Sequence, residues 1–529
     1  MRIGRYLLAT ISLLLVPLFL IGQDGAFSAV QMHPQAVAIA KAKGKPIKSP
    51  VPATANQGRK FAPGGATVGQ LVTDPVQKVL VIFIDFQDAP LGGPTTHMPL
   101  GYFDDMLFGT TYFPNEYVGL PGAPDNRTLK NFYAENSYGK VDVTTDNLPS
   151  TLQWTKMPNP YSHYVNNDNG YGKVGEMILQ ALQQLDSKID FSQYAVNGEV
   201  PNIFVVHAGS GAEWNGDPQL FWSHSWNLNT ATGGGPYKFD GVTVNKYALM
   251  PEVGGDTTQY SGYAPFFGTF PPTVGVYAHE FAHVLGVPDL YDYGYESDGV
   301  GSYSLMAGGS WNQYPTDSAI FGGNSPSSLD AWSKYRLGFV TPIEIAGPMT
   351  LTLPPAETDD TVYKMVVPFS DGKEYYLFEN RQHLGFDEGL KYAGGGTHGL
   401  AIYHVDDVVM DRNYWRPNEA ENWKSFRSLG WKKAWTGETH YGVSLIQADG
   451  RYELEHGGAL GSYNNSGDLY PGHWGVTSFD SYTEPNSSSY YFWNGSDPKY
   501  GYSGVTVQNI REENGSISAE FSFVPWLSN

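Results

Sequence analysis

The stretch Val276-Tyr-Ala-His279-Glu280-Phe-Ala-His283-Val-Leu-Gly286-Val-Pro288-Asp289 constrains this chain more than any other. Histidines four residues apart share one face of a helix, one turn from each other, which is metal-ligand geometry. Glu280 follows the first of them, where its carboxylate reaches a water beside the metal without ligating the metal itself. Gly286 sits where a helix stops, because glycine takes the left-handed conformation at no steric cost, and Pro288 bars helical continuation. The chain is then free to bring Asp289 back as a third donor. Asp292, Glu296 and Asp298 lie close enough in sequence to compete for that position.

The chain contains no cysteine, so disulfides, thiolate nucleophiles and sulfur-ligated zinc are all excluded, and any metal must take His, Asp or Glu. With 529 residues and 41% hydrophobic content it can bury a large core, divided by length into two to four domains. Its net charge of -21 argues against nucleic acid, whose phosphates would be repelled.

Arg2 and Arg5 precede an apolar run from Leu7 to Ile21 and then small residues around Ala26 and Ser28. This is the pattern of a secretory signal peptide over residues 1–28; the run is short of the roughly 20 residues that an uncleaved spanning anchor needs. The segment 29–75 carries Lys41, Lys43, Lys45, Lys48, Arg59 and Lys60 against a single acid, Asp74. From Val76 onward the balance inverts to 24 Lys+Arg against 51 Asp+Glu. A basic pro-segment drawn to an acidic body and a solvated linker are equally good readings of that contrast.

The run Val79 to Ile84 has the β-branched content of a buried strand, so a folded domain begins near residue 76. Val174, Met177, Ile178, Ala181, Leu182 and Leu185 recur at helical spacing, and Ile203 to Val206 is again strand-like. These predict an α+β catalytic domain over 76–345. Beyond it, Met349–Leu353, Tyr363–Val367, Tyr375–Phe378, Leu400–Val405 and Ile517–Phe523 predict a β-rich, sandwich-like C-terminal domain over 346–529.

The spacing from His279 to Asp289 is similar to the metzincin pattern His-Glu-x-x-His-x-x-Gly-x-x-His, with aspartate in the last position; a carboxylate oxygen is acceptable to zinc. Gly301-Ser-Tyr-Ser-Leu-Met306-Ala-Gly308 resembles the methionine turn of that superfamily, although Met306 alone reads as an ordinary core residue. The chain as a whole resembles the immune inhibitor A family of secreted metallopeptidases. The likeness runs through Val79 to Phe86, Asn131 to Gly139, His207 to Glu213, Trp222 to His224, His279 to Asp292, Ser304 to Trp311 and Leu329 to Gly338. Weaker likeness follows in Gly399 to Asp406 and Asp468 to Gly472. The resemblance implies an exported zinc endopeptidase made as a precursor, acting on extracellular proteins or peptides. By it, His279 and His283 are zinc ligands and Glu280 is the general base; Asp289 is the third ligand that the spacing favours over Asp292, Glu296 and Asp298.

Tyr303, Tyr314 and His224 are candidate donors to the oxyanion of such a reaction, each of which also reads as structural in so aromatic a chain. His404 and Asp406 read as a satisfied polar pair at a sheet edge. Calcium is the second cation the sequence allows, at Asp85 with Asp88 or Asp292 with Asp298, where solvated loop acids are the plainer reading. Two other function classes compete. A glycoside hydrolase would share the acidic, aromatic composition but has no use for His-Glu-x-x-His, and a non-catalytic binding or surface protein has no need to keep Glu280.

Overall fold

The structure, a computed structural model, describes residues 27–42, 47, 72–88, 97–112, 125–254, 271–314, 322–393, 397–419, 440–456, 465–491 and 501–524. Nearly all of the predicted leader, and most of the basic segment after it, lie outside those residues. No helix among the described residues is long and apolar enough to cross a membrane.

Six strands form the first sheet: β1 (Ser28–Ala29), β2 (Leu80–Asp85), β3 (Thr155–Lys156), β4 (Ile203–Ser210), β5 (His224–Asn227) and β6 (Lys246–Val253). They lie in the order β1-β5-β6-β4-β2-β3. Strands β6, β4, β2 and β3 run parallel, whereas β5 is antiparallel to β6 and β1 is antiparallel to β5. The period-two alternation of a strand sends neighbouring side chains to opposite faces. Leu80, Ile82 and Ile84 accordingly join one core with Val205 and Leu249, while Val81 and Phe83 join another with Phe204 and Met250.

Helix α1 (Pro34–Ala42) follows β1 directly. Helices α2 (Leu129–Asn136), α3 (Val174–Leu185), α4 (Val274–Leu285) and α5 (Ala331–Leu337) are among the further elements of the region. The apolar stripe of α3 covers the first face, and α4, buried at every position, crosses the second. A helix apolar all round belongs in an interior, and this one sits between the sheet, α2 and the C-terminal region. Tyr133 of α2 ties the two helices by donating its hydroxyl to the Ala278 carbonyl at 2.7 Å and setting its ring edge-on to Phe281. Gly275 is required at the start of α4: a Cβ there would stand 2.1 Å from the Ser310 carbonyl oxygen.

The C-terminal region contributes β7 (Ile343–Glu344), β8 (Met349–Leu353), β9 (Tyr363–Val366), β10 (Glu374–Arg381), β11 (Gly399–Asp406), β12 (Val443–Leu445), β13 (Val505–Glu513) and β14 (Ser516–Phe523). They form a five-stranded sheet, β7-β9-β10-β11-β12, and a three-stranded one, β8-β14-β13. Tyr376, Phe378, Leu400 and Ile402 of the larger sheet meet Val505, Val507, Ile517 and Phe521 of the smaller in one core. The opposite face of the larger sheet, with Tyr375, Leu377, Ala401 and Tyr403, continues the core that holds α4. His404 and Asp406 are not at a sheet edge, because β11 has neighbours on both sides. They are fully buried, His404 against Glu374 at 2.8 Å and Asp406 accepting from His440 at 2.7 Å.

Candidate functional site

Helix α4 ends as its sequence predicts. Gly286 is left-handed (φ 116°), its N–H reaches the Ala282 and His283 carbonyls at 3.0 Å, and Val287 N–H reaches Ala282 at 3.2 Å. The chain reverses there and carries Asp289 back over the helix. The Nε2 atoms of His279 and His283 lie 3.0 Å apart, and Asp289 Oδ1 stands 3.0 Å from the first and 3.2 Å from the second. All three side chains are buried.

The histidine tautomers are fixed from behind. His279 Nδ1 donates to the Leu305 carbonyl and His283 Nδ1 to the Val287 carbonyl, both at 2.8 Å. With those protons spent, two Nε2 lone pairs and a carboxylate oxygen converge on one point. Asp289 Oδ1 has no hydrogen-bond donor among the described residues. Burial holds the His279 imidazole below its ordinary pKa. Two imidazole nitrogens and a carboxylate oxygen, their atoms all within reach of one point, are a donor set that suits zinc.

The second layer is built from the two segments that flank the site. Tyr293 donates its hydroxyl to Asp289 Oδ2, leaving Oδ1 for the histidine side. Leu290 N–H donates to the Met306 carbonyl at 2.8 Å, so the turn at Leu305–Met306 fixes the His279 ring and the Asp289 backbone together. Met306 itself is buried core. Of the rival acids, Asp292 accepts from Gly294 N–H and from Ser297 N–H and hydroxyl, Glu296 is exposed, and Asp298 is half-buried, its carboxyl pushed up to about 8 by burial and partly relieved by Lys41 of α1. Asp85 pairs with Lys156 at 2.9 Å and Asp88 accepts from Tyr161 N–H, so these acids also give calcium no support.

Glu280 lies one residue past His279 and is fully buried. Burial raises its carboxyl pKa well above the usual range, and the Asp289 charge adds to this. Its Oε1 accepts the Val30 N–H at 2.9 Å, while Oε2 has no partner among the described residues.

Val30 belongs to a stretch that sequence reasoning did not place here. Residues 28–33 run through the site: Ser28 and Ala29 pair antiparallel with the outer edge of β5, Ser28 opposite Ser225 and Ala29 opposite His224, and residues 30–33 continue without a strand partner. Their backbone is held at several points. Tyr291 donates to the Ala29 carbonyl at 2.5 Å, Trp222 Nε1 to the Val30 carbonyl at 2.7 Å and Trp311 Nε1 to the Gln31 carbonyl at 3.0 Å. Met32 N–H donates to the Tyr295 hydroxyl at 2.8 Å and His33 N–H to the Glu213 carbonyl at 2.7 Å. Phe27 stacks on His224, edge-on to Tyr171 and Trp226.

Of the oxyanion-donor candidates, His224 lines this groove, with its own ring nitrogens on the Trp222 carbonyl and the Tyr247 hydroxyl. Tyr303 instead donates to Asp468 at 2.7 Å, and Tyr314 packs against Tyr392 with Arg127 over its ring. Neither meets residues 28–33. The signal overlooked was Tyr291-Asp-Tyr293-Gly-Tyr295, three alternate tyrosines directly after Asp289.

Residues 65–339 match the family described as Immune inhibitor A peptidase M6, catalytic domain. Immune inhibitor A of Bacillus thuringiensis subsp. alesti is 27% identical over 296 residues, covering 50% of this chain and 40% of that protein. Pre-pro-metalloprotease PrtV of Vibrio cholerae serotype O1 (strain M66-2) is 25% identical over 300 residues, covering 51% of this chain and 30% of that protein. The matched stretches thus span less than half the length of these relatives.

Proposed function

The chain belongs to the immune inhibitor A peptidase M6 family, and from that premise we propose that it is an exported zinc endopeptidase hydrolysing peptide bonds of extracellular proteins, with Glu280 as general base. The observation that carries this reading is the convergence of His279 Nε2, His283 Nε2 and Asp289 Oδ1 in a buried cluster with the Glu280 carboxyl group one residue away on the same helix. In this reading those three residues hold the metal. When bound there, zinc supplies the Lewis acidity that polarises a carbonyl and makes water acidic enough to react near neutral pH.

The chain's own groups do the rest. Glu280 takes a proton from the attacking water as the water oxygen bonds to the peptide carbonyl carbon, and returns it to the nitrogen as the carbon–nitrogen bond breaks. Tyr293 and the Leu305 and Val287 carbonyls hold the ligand side chains in place, and the outer edge of β5 offers an extended peptide a row of backbone partners.

Residues 29–75 act in this reading as a pro-segment, since their described beginning lies on the base itself and Lys41 of α1 faces the half-buried Asp298. The catalytic domain is assigned to 76–345 in a metzincin-like arrangement, followed by a sandwich-like domain over 346–529. Metal analysis of the purified protein, with casein cleavage before and after chelation, tests the function. About one zinc per chain and activity lost on chelation and restored by zinc is the expected result, and full activity in a metal-free preparation would refute it.

A further inference from the structure

Residues 28–33 place a peptide bond of the chain itself against the reacting groups. The Ala29–Val30 amide has its N–H on Glu280 Oε1 at 2.9 Å and its carbonyl under the Tyr291 hydroxyl at 2.5 Å. Those are the two polar ends of a scissile bond, the nitrogen that must receive a proton and the oxygen that must accept negative charge. On the N-terminal side of this bond Ser28 and Ala29 pair antiparallel with β5, the way an extended peptide joins a sheet edge. No other tyrosine hydroxyl is placed on this carbonyl among the described contacts, and Tyr295 holds the next stretch of the same backbone at Met32.

We propose that Tyr291 is a catalytic residue, donating its hydroxyl hydrogen bond to the carbonyl oxygen of the bond being cut, and that the Ala29–Val30 bond marks the position of that bond in a bound substrate. This rests on the endopeptidase reading. As water oxygen bonds to the carbonyl carbon and its proton passes to Glu280, the carbonyl oxygen becomes an oxyanion and the Tyr291 hydrogen bond shortens onto it. The carbon–nitrogen bond then breaks, the oxygen returns to a carbonyl within the new carboxyl group, and the nitrogen leaves as an amine carrying the proton from Glu280. A donor aimed at developing charge contributes more in the transition state than in the ground state, so its loss falls on kcat rather than on KM. The same contacts make residues 28–33 a competitor for the groove in the full chain.

The test compares zinc-loaded full chain with its Tyr291→Phe variant on a fluorogenic peptide of sequence Phe-Ser-Ala-Val-Gln-Met-His. Phenylalanine keeps the ring packing on Tyr293 and Tyr295 and deletes only the hydroxyl. At saturating peptide, where a competing internal segment no longer matters, kcat is expected to fall roughly 100-fold with cleavage between Ala and Val and with zinc content unchanged. A kcat within threefold of wild type, a loss confined to KM, or cleavage at a different bond overturns the assignment. Casein turnover by wild type separates this failure from failure of the endopeptidase reading. A second arm needs neither zinc nor turnover: hydrogen exchange on the metal-free full chain. The Val30 amide is expected to be protected in wild type and to exchange at least tenfold faster in Tyr291→Phe. Exchange of that amide at the unfolded rate in wild type overturns the register.

Discussion

Val30 gives its amide proton to Glu280 at 2.9 Å, so in the full chain one oxygen of the proposed base is already taken. A buried hydrogen bond to a carboxylate contributes about 1.5–3 kcal/mol, which corresponds to a shift of about ten- to a hundredfold between closed and open grooves. Val30→Pro removes the donor and should raise the casein activity of the full chain roughly tenfold or more. Equal activity in the two proteins would show that residues 28–33 do not hold the site closed.

Glu280→Gln should keep zinc and fold while losing several orders of magnitude in turnover, because an amide can hold a water but cannot accept its proton. Zinc content by elemental analysis and peptide hydrolysis measured on the same sample decide it. Activity within tenfold of wild type removes Glu280 from the role of base.

Asp289→Ala should release zinc on dialysis, whereas Asp292→Ala should retain it, since Asp292 spends its oxygens on Gly294 and Ser297. Tyr293→Phe is the finer probe. Its hydroxyl turns Asp289 toward the histidines, and loss of such an outer partner weakens metal binding by about 10–100-fold. Zinc retained by Asp289→Ala and lost from Asp292→Ala would reverse the ligand assignment.

Much of this was legible from spacing alone. The i, i+4 histidines, the stop at Gly286 and the return of Asp289 are local consequences of helix geometry, and the strands of alternating or continuous apolar residues appear where their patterns place them: β2, β4, β8, β9, β10, β11 and β14. What was not legible depends on contacts between distant residues. Strand β5, His224-Ser-Trp-Asn227, has no apolar alternation to announce it and is a strand because β6 and β1 flank it. Ser28 and Ala29 reach the site across about 250 residues of sequence, and nothing in their composition distinguishes them from the end of a leader. The role of Tyr291 was hidden for the same reason, since its partner is the Ala29 carbonyl.

A last prediction concerns the contact between α2 and the C-terminal region. Glu135 accepts the Phe386 N–H at 3.0 Å, and its carboxyl is pushed up to about 7, chiefly by burial and further by Asp387. The sign follows from proton counting. Between about 4.5, the ordinary value, and about 7 the folded chain keeps a proton that the unfolded chain has released. Stability from this group is therefore full below about 4.5 and is lost as pH rises through 7, by up to about 3 kcal/mol. Glutamine cannot ionise and keeps an oxygen for the Phe386 N–H. Glu135→Gln should accordingly match wild type in urea denaturation at pH 4.5 and exceed it by a few kcal/mol at pH 8. Other buried acids with raised pKa, such as Glu213 and Asp468, act equally in both proteins and cancel in the difference. A difference between variant and wild type that stays constant from pH 4.5 to 8 would mean that Glu135 is ionised throughout, and that the Phe386 N–H together with Lys334 and Arg127 outweighs its burial.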